Sequence, residues 1–250
     1  VNAQGYYKAS VDGINVNIAK ILPTSPLTYT NLKLKAEGNT KSGMFRGTAS
    51  QTHLLGYEYQ KINLEGGYEE ELYNATIDVD DPNGRMMLRA QYDDTHLIPK
   101  YELEVKVDSL DLHAMNLVDI HEGKSFSTHV TASLKGHDID QMTGKVIIDY
   151  LTKHQEGEDY VMNDIIFNSH YPDSKFLTMG SEFADVTVRG NFAYSTLLSS
   201  LQAHLHEYLP SLCTGENHRM GNNLCQASVS IKNTRPLQEL LLIPVSIGQQ

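Results

Sequence analysis

The sequence predicts a mainly β protein, an antiparallel sheet of repeated hairpins with one amphipathic helix at about residues 191–209. Three observations predict it. Apolar and polar residues alternate with a period of two along most of the chain, turn residues interrupt the alternation at hairpin spacing, and a single stretch changes to a helical period. One wet and one dry face is the pattern of an antiparallel sheet covered on one side. Parallel strands buried on both faces read instead as unbroken apolar runs.

Taken in chain order, Leu32, Leu34 and Ala36 alternate with Lys33 and Lys35, which places the apolar side chains on one face of a strand. "DDPNGR" (residues 80–85) joins two strong strands, with Asn83-Gly84 as the hairpin signal. Met86, Leu88, Ala90 and Tyr92 then alternate with Arg89 and Gln91, although Met87 blurs the polar face. Tyr101, Leu103, Val105 and Val107 alternate with Glu102, Glu104 and Lys106. Val130, Ala132 and Leu134 continue the pattern, as do Val186 and Val188. "LKAEGNTKSGMFRGTAS", "INLEGGYEEELYNATID" and "ASLKGHDIDQMTGKVIID" read as one hairpin motif used three times, each with a polar tip.

In "NFAYSTLLSSLQAHLHEYLP" (191–210) the apolar positions Tyr194, Leu197, Leu198, Leu201, Leu205, Tyr208 and Leu209 fit the stripe of an amphipathic helix. Asn191 is placed to cap it and Pro210 to end it. The stripe is expected to lie on the dry face of the sheet. A strand-then-turn phrase occurs three times, as "YKASVDGINVNIAKIL" (7–22), "YELEVKVDSLDLHAMNL" (101–117) and "CQASVSIKNTRPLQELLL" (225–242). It reads as architecture: a strand followed by a short crossing element that starts a new layer. The expected organisation is a repeated β unit with its helix over 1–210, then a loop and the start of the next β repeat over 211–250. With no atypical closing unit, the chain reads as a piece of a longer array.

Composition excludes several functions. Net charge is −11, so no basic excess is available to displace phosphate counterions, and binding to nucleic acid or to an anionic membrane surface is not expected. No run approaches the roughly 18 apolar residues that span a bilayer. "DVDDPNG" (78–84) departs from calcium-loop spacing and reads as a solvated turn, and the histidines lack His-x-x-x-His spacing, so no metal is expected. Nucleophile-elbow and phosphate-loop motifs are absent; the acidic clusters at 67–73 and 154–160 read as solvated turns, and neither enzymatic chemistry nor a cofactor is expected. Cys213 and Cys225 lie at a spacing that admits either a small disulfide loop or two unrelated thiols.

Four stretches, "INLEGGYEEELYNATIDVDDPNGRMMLRAQYD" (62–93), "PKYELEVKVDSLDLHAMNL" (99–117), "ASLKGHDIDQMTGKVIIDY" (132–150) and "ADVTVRGNFAYSTLLSSLQAHL" (184–205), together resemble the TamB and AsmA-like family of bacterial envelope proteins. The likeness lies in texture and order. It implies a long twisted sheet curled into an open trough or sandwich with an apolar interior, located in the periplasm. It implies an inner-membrane anchor in the full-length protein and phospholipid transport between inner and outer membranes. Partners would be phospholipid acyl chains and an outer-membrane barrel protein, and no catalytic residues carry over.

The candidate lipid-facing side chains are Leu32, Leu34, Leu88, Leu103, Val105, Val107, Val130, Leu134, Val186 and Val188. Ala36, Ala90, Ala132 and Val105 would leave room on that face, whereas Phe167, Phe176 and Phe183 would fill it. The rival expectation is a structural or chaperone-like β module whose dry face is filled by its own side chains and which acts through protein partners.

Overall fold

A computed structural model describes residues 5–20, 23–118, 122–171, 174–197, 199–200 and 221–235. The described residues form a meander of thirteen antiparallel strands. They are β1 (Tyr7–Asn17), β2 (Tyr29–Gly38), β3 (Ser42–Leu54), β4 (Tyr57–Glu69), β5 (Leu72–Asp81), β6 (Gly84–Asp93) and β7 (Lys100–Leu110), followed by β8 (Lys124–Lys135), β9 (Thr143–Gln155), β10 (Glu158–His170), β11 (Lys175–Gly180), β12 (Ala184–Asn191) and β13 (Leu224–Ile231). Each strand pairs with its neighbours in sequence order, and the sheet does not close into a barrel. Two compact units divide the chain, the first from residues 1–131 and 149–161, the second from 132–148 and 162–250.

The repeated phrase falls on β1, β7 and β13, so it recurs on every sixth strand, with five strands between copies. After β1 the chain makes a 3₁₀ turn at Ile18–Lys20, and after β7 it makes a run of turns at 112–116. The third copy is described only as far as residue 235. Copies one and two both carry a backbone irregularity near the strand end: Asn15 (φ 52°) and Ser109 (φ 52°) sit in the left-handed region. In β1 this is a bulge between Gly13 and Val16, which bends the strand before the crossing. Asn31 on β2 holds it, accepting from Asn15 N at 2.7 Å and donating to Gln51 Oε1 at 2.6 Å.

Within the first unit the core gathers at one end of the dry face. Tyr59, Val79, Leu110 and Met115 form a buried cluster, with Met115 only 1% exposed. The crossing segment after β7 folds over this end, and Asn116 Nδ2 ties it to the Gly56 carbonyl at 3.0 Å. The β5–β6 connection has the two-residue length that Asn83-Gly84 suggested but lies one position earlier. Asp81 pairs with Gly84, so the loop residues are Pro82 and Asn83. Gly84 is a strand residue (φ 135°) because Leu110 Cα lies where a Cβ would sit, at 2.5 Å.

In the second unit the helix starts at Tyr194; residues 194–197 and 199–200 are helical, and the expected continuation over 201–209 lies outside the described residues. Asn191 is the last residue of β12 and caps nothing here. The carboxylate of Asp140 caps the helix instead, accepting from Ser195 N and Ser195 Oγ at 2.8 Å each. A remote acceptor satisfies the free N–H groups of the first turn as well as a local Asn would. Tyr194 does point at the apolar side of the sheet, where its hydroxyl bonds Ser169. Between them sits Lys175, 2% exposed, donating to the carbonyls of Asp140 (2.5 Å) and Phe192 (2.8 Å) and lying 3.7 Å from the Tyr194 ring centre. Burial pushes its pKa down, and the nearby carboxylates of Asp140 and Asp138 oppose that shift.

Candidate functional site: an apolar sheet face

Directly paired residues of an antiparallel ladder share a face, so register converts strand alternation into rows. Four apolar rows cross β1 to β7. The first is Gly13, Leu32, Ala49, Ile62, Val79, Met86 and Val107; the second is Val11, Leu34, Gly47, Leu64, Ile77, Leu88 and Val105. The third is Ala9, Ala36, Phe45, Gly66, Ala75, Ala90 and Leu103. The fourth, Tyr7, Gly38, Gly43, Tyr68, Tyr73, Tyr92 and Tyr101, edges the face with phenols. Ring centres along it are 6.2 Å (Tyr68–Tyr73), 5.7 Å (Tyr73–Tyr92) and 5.0 Å (Tyr92–Tyr101) apart. The Tyr7 and Tyr68 hydroxyls meet at 3.4 Å across the two glycines. No charged residue occupies any of these rows. The opposite end is closed by the Met115 cluster.

Six of the ten candidate residues therefore come together here: Leu32, Leu34, Leu88, Leu103, Val105 and Val107. All are half-buried except Leu103, which is 37% exposed. Val11 (48%), Phe45 (37%) and Tyr73 (44%) keep much of their surface in water. Val130 and Leu134 are half-buried on β8. In the second unit, Val186 lies in a row with Phe167, Met179 and Val229, and Val188, which is buried, lies with Ser169, Leu177 and Ala227. Phe167 thus shares the apolar side, whereas Phe176 is on the other side, 4.7 Å from the His170 ring. Ile62, Leu64, Ile77 and Val79 belong to the same surface. Their alternation in "KINLEGGY" and "ATIDVDD" was the signal for them, but only register shows that they continue the rows of Leu32 and Leu34.

The reverse face of the same strands is ionic. Arg46 pairs with Glu65 (3.5 Å), Lys8 with Glu37 (3.1 Å) and Arg89 with Glu104 (3.2 Å). Glu104 also meets Lys106 at 2.9 Å and His129 at 3.3 Å. The Lys106 ammonium, with His129 and Arg89, holds the Glu104 carboxyl down at about 2 despite some desolvation. Among the described residues, depressions open on this polar side. One, of about 610 Å³, is lined by Lys8, Lys35, Arg46 and Glu65 among others; another, of about 530 Å³, lies at the β5–β6 turn beside Arg85, Asp108 and Ser109.

The "DVDDPNG" carboxylates are turn elements. Buried Asp81 accepts from Tyr57 Oη (2.5 Å), Gln60 N (3.0 Å) and Asn83 N (3.0 Å). Among the described residues no group of three His, Cys, Asp or Glu is arranged to hold a metal ion. Cys225 is exposed on β13, and Cys213 lies outside the described residues, as do His121, His204, His206 and His218. No family model, curated protein or solved structure matches the chain.

Proposed function

We propose that the apolar face of β1–β7 is a groove for phospholipid acyl chains, in a periplasmic segment of a TamB/AsmA-like protein that moves phospholipid between inner and outer membranes. The observation that carries this reading is the unbroken run of four uncharged rows across seven strands, left partly open to water. An exposed apolar patch of this continuity needs an apolar partner. Burying an acyl chain gains on the order of 0.8 kcal/mol per methylene. Six inter-strand steps of about 4.8 Å give about 29 Å, close to the roughly 30 Å hydrocarbon core of a bilayer. Lacking a fixed charge, the rows would let a chain slide along them. The tyrosine edge suits the boundary between chain and headgroup, since phenols are apolar in body and polar at the tip. An inner-membrane anchor and an outer-membrane barrel partner belong to the same proposal.

The test is mass spectrometry of organic extracts from purified protein, compared with a Leu103→Asp/Val105→Asp variant that keeps its far-UV circular dichroism. Phospholipid in the first and none in the second supports the groove; no lipid above background in the native protein rejects it. A structural module acting through protein partners is favoured by a different observation. Strand β13 is exposed along its whole length, with Leu224 at 81% and Val229 at 60%, and carries no charge that would discourage edge pairing.

A further inference from the structure

On the polar side of the first unit, three side chains form a hydrogen-bonded chain that the strand pattern did not announce. Ser127 Oγ on β8 lies 2.8 Å from His154 Nε2 on β9, and His154 Nδ1 lies 2.6 Å from Asp159 Oδ1 at the start of β10. We propose that Ser127, His154 and Asp159 are a nucleophile, a general base and an orienting carboxylate for acyl transfer from a small carboxylic ester to water. The order of atoms is the one such catalysis requires: the hydroxyl faces one imidazole nitrogen and the carboxylate fixes the proton on the other. Such constellations are recognised by geometry, on any fold.

One more group meets the same hydroxyl. Ser109, the left-handed residue at the end of β7 (φ 52°), donates its N–H to Ser127 Oγ at 2.9 Å. That bond occupies an acceptor site of the hydroxyl and leaves its own proton free to point at His154 Nε2. Ser109 also lines the 530 Å³ depression with Arg85, Asp80 and Asp108. His154 is half-buried (31% exposed at the side chain), while Asp159 is more open at 60%.

In the reaction, Ser127 Oγ bonds to the ester carbonyl carbon and its proton passes to His154 Nε2. The carbon–alkoxide bond breaks as the alkoxide takes that proton. Water then gives a proton to His154 Nε2 and bonds to the acyl carbon, and the acyl–Oγ bond breaks as Ser127 Oγ takes that proton back, releasing the carboxylic acid. A fluorophosphonate tests the first step, because Oγ bonds to phosphorus and fluoride leaves. Incubation of the native protein with a fluorophosphonate, followed by peptide mass spectrometry, is expected to place the label on Ser127. Ser127→Ala should lose it, and His154→Ala should slow labelling about a hundredfold or more. Asp159→Asn should slow it by a smaller factor, each variant being checked for native circular dichroism. No label on the folded native protein, or a label only elsewhere, overturns the proposal. Because the native protein alone gives the mapped site, a variant that fails to fold does not blunt the test. The lipid extraction is separate, so either reading can fail without the other.

Discussion

Asp140 and Ser195 are 55 residues apart, yet one carboxylate accepts both the backbone N–H and the hydroxyl of Ser195 at 2.8 Å. These two bonds, backbone first, hold the Asp140 pKa below its ordinary 3.8, with the Lys175 charge assisting. A carboxyl with a depressed folded-state pKa stabilises the fold fully above its unfolded value. That contribution is lost as pH falls through the folded value. Asp140→Asn should therefore lower the melting temperature at pH 7 and flatten the loss of stability below about pH 4, read by thermal denaturation across pH.

Glu104 extends the same logic to the polar face of the first unit. Its pKa of about 2 arises from Lys106 first, with His129 and Arg89 adding hydrogen bonds. The stabilisation is present above the ordinary value of 4.5 and disappears as pH approaches 2. A carbon-detected NMR titration should find Glu104 still ionised at pH 3. Glu104→Gln should remove part of the acid-induced destabilisation while leaving lipid in organic extracts unchanged, since the side chain lies opposite the apolar rows.

Met115 closes the end of the dry face and is 1% exposed against Tyr59, Val79 and Leu110. Met115→Ala should destabilise by about 2–5 kcal/mol, through lost burial and the cavity left behind. Denaturant midpoints at unchanged slope would show it; a change under about 0.5 kcal/mol would mean the crossing segment does not seal this end.

A Cβ on Gly43 would sit 2.6 Å from Tyr68 Cε1 and 2.7 Å from Tyr7 Oη. Gly43→Val should cost about 1–3 kcal/mol by overpacking. Adding Tyr68→Ala should recover part of that loss, and a double-mutant cycle measures the coupling. Strict additivity would show that the tyrosines do not lie over the glycines in solution.

Much of the sheet was legible because strand alternation is local. Lys33 and Lys35 between Leu32, Leu34 and Ala36 fix a two-faced strand whatever surrounds it. The three phrases marked β1, β7 and β13, and the helical period after residue 191 marked a helix. Its start was misplaced by three residues, because a cap need not be local: Asn191 is a good capping residue by type, but Asp140 reaches the first turn from another part of the chain. Met87 kept its place on the polar face between Asp78 and Lys106, as its position in the alternation required.

The sequence by itself determined which side chains share a face within each strand, since pleating sets that over two residues. Only the tertiary structure decided which faces meet. Register joined Leu34, Leu64, Ile77, Leu88 and Val105 into one row, and aligned Tyr68, Tyr73, Tyr92 and Tyr101 along its edge. It also brought Ser127 to His154, 27 positions away. Such pairings depend on the length of every turn and the position of every bulge between them, because one residue of slip moves a whole strand's side chains to the opposite face.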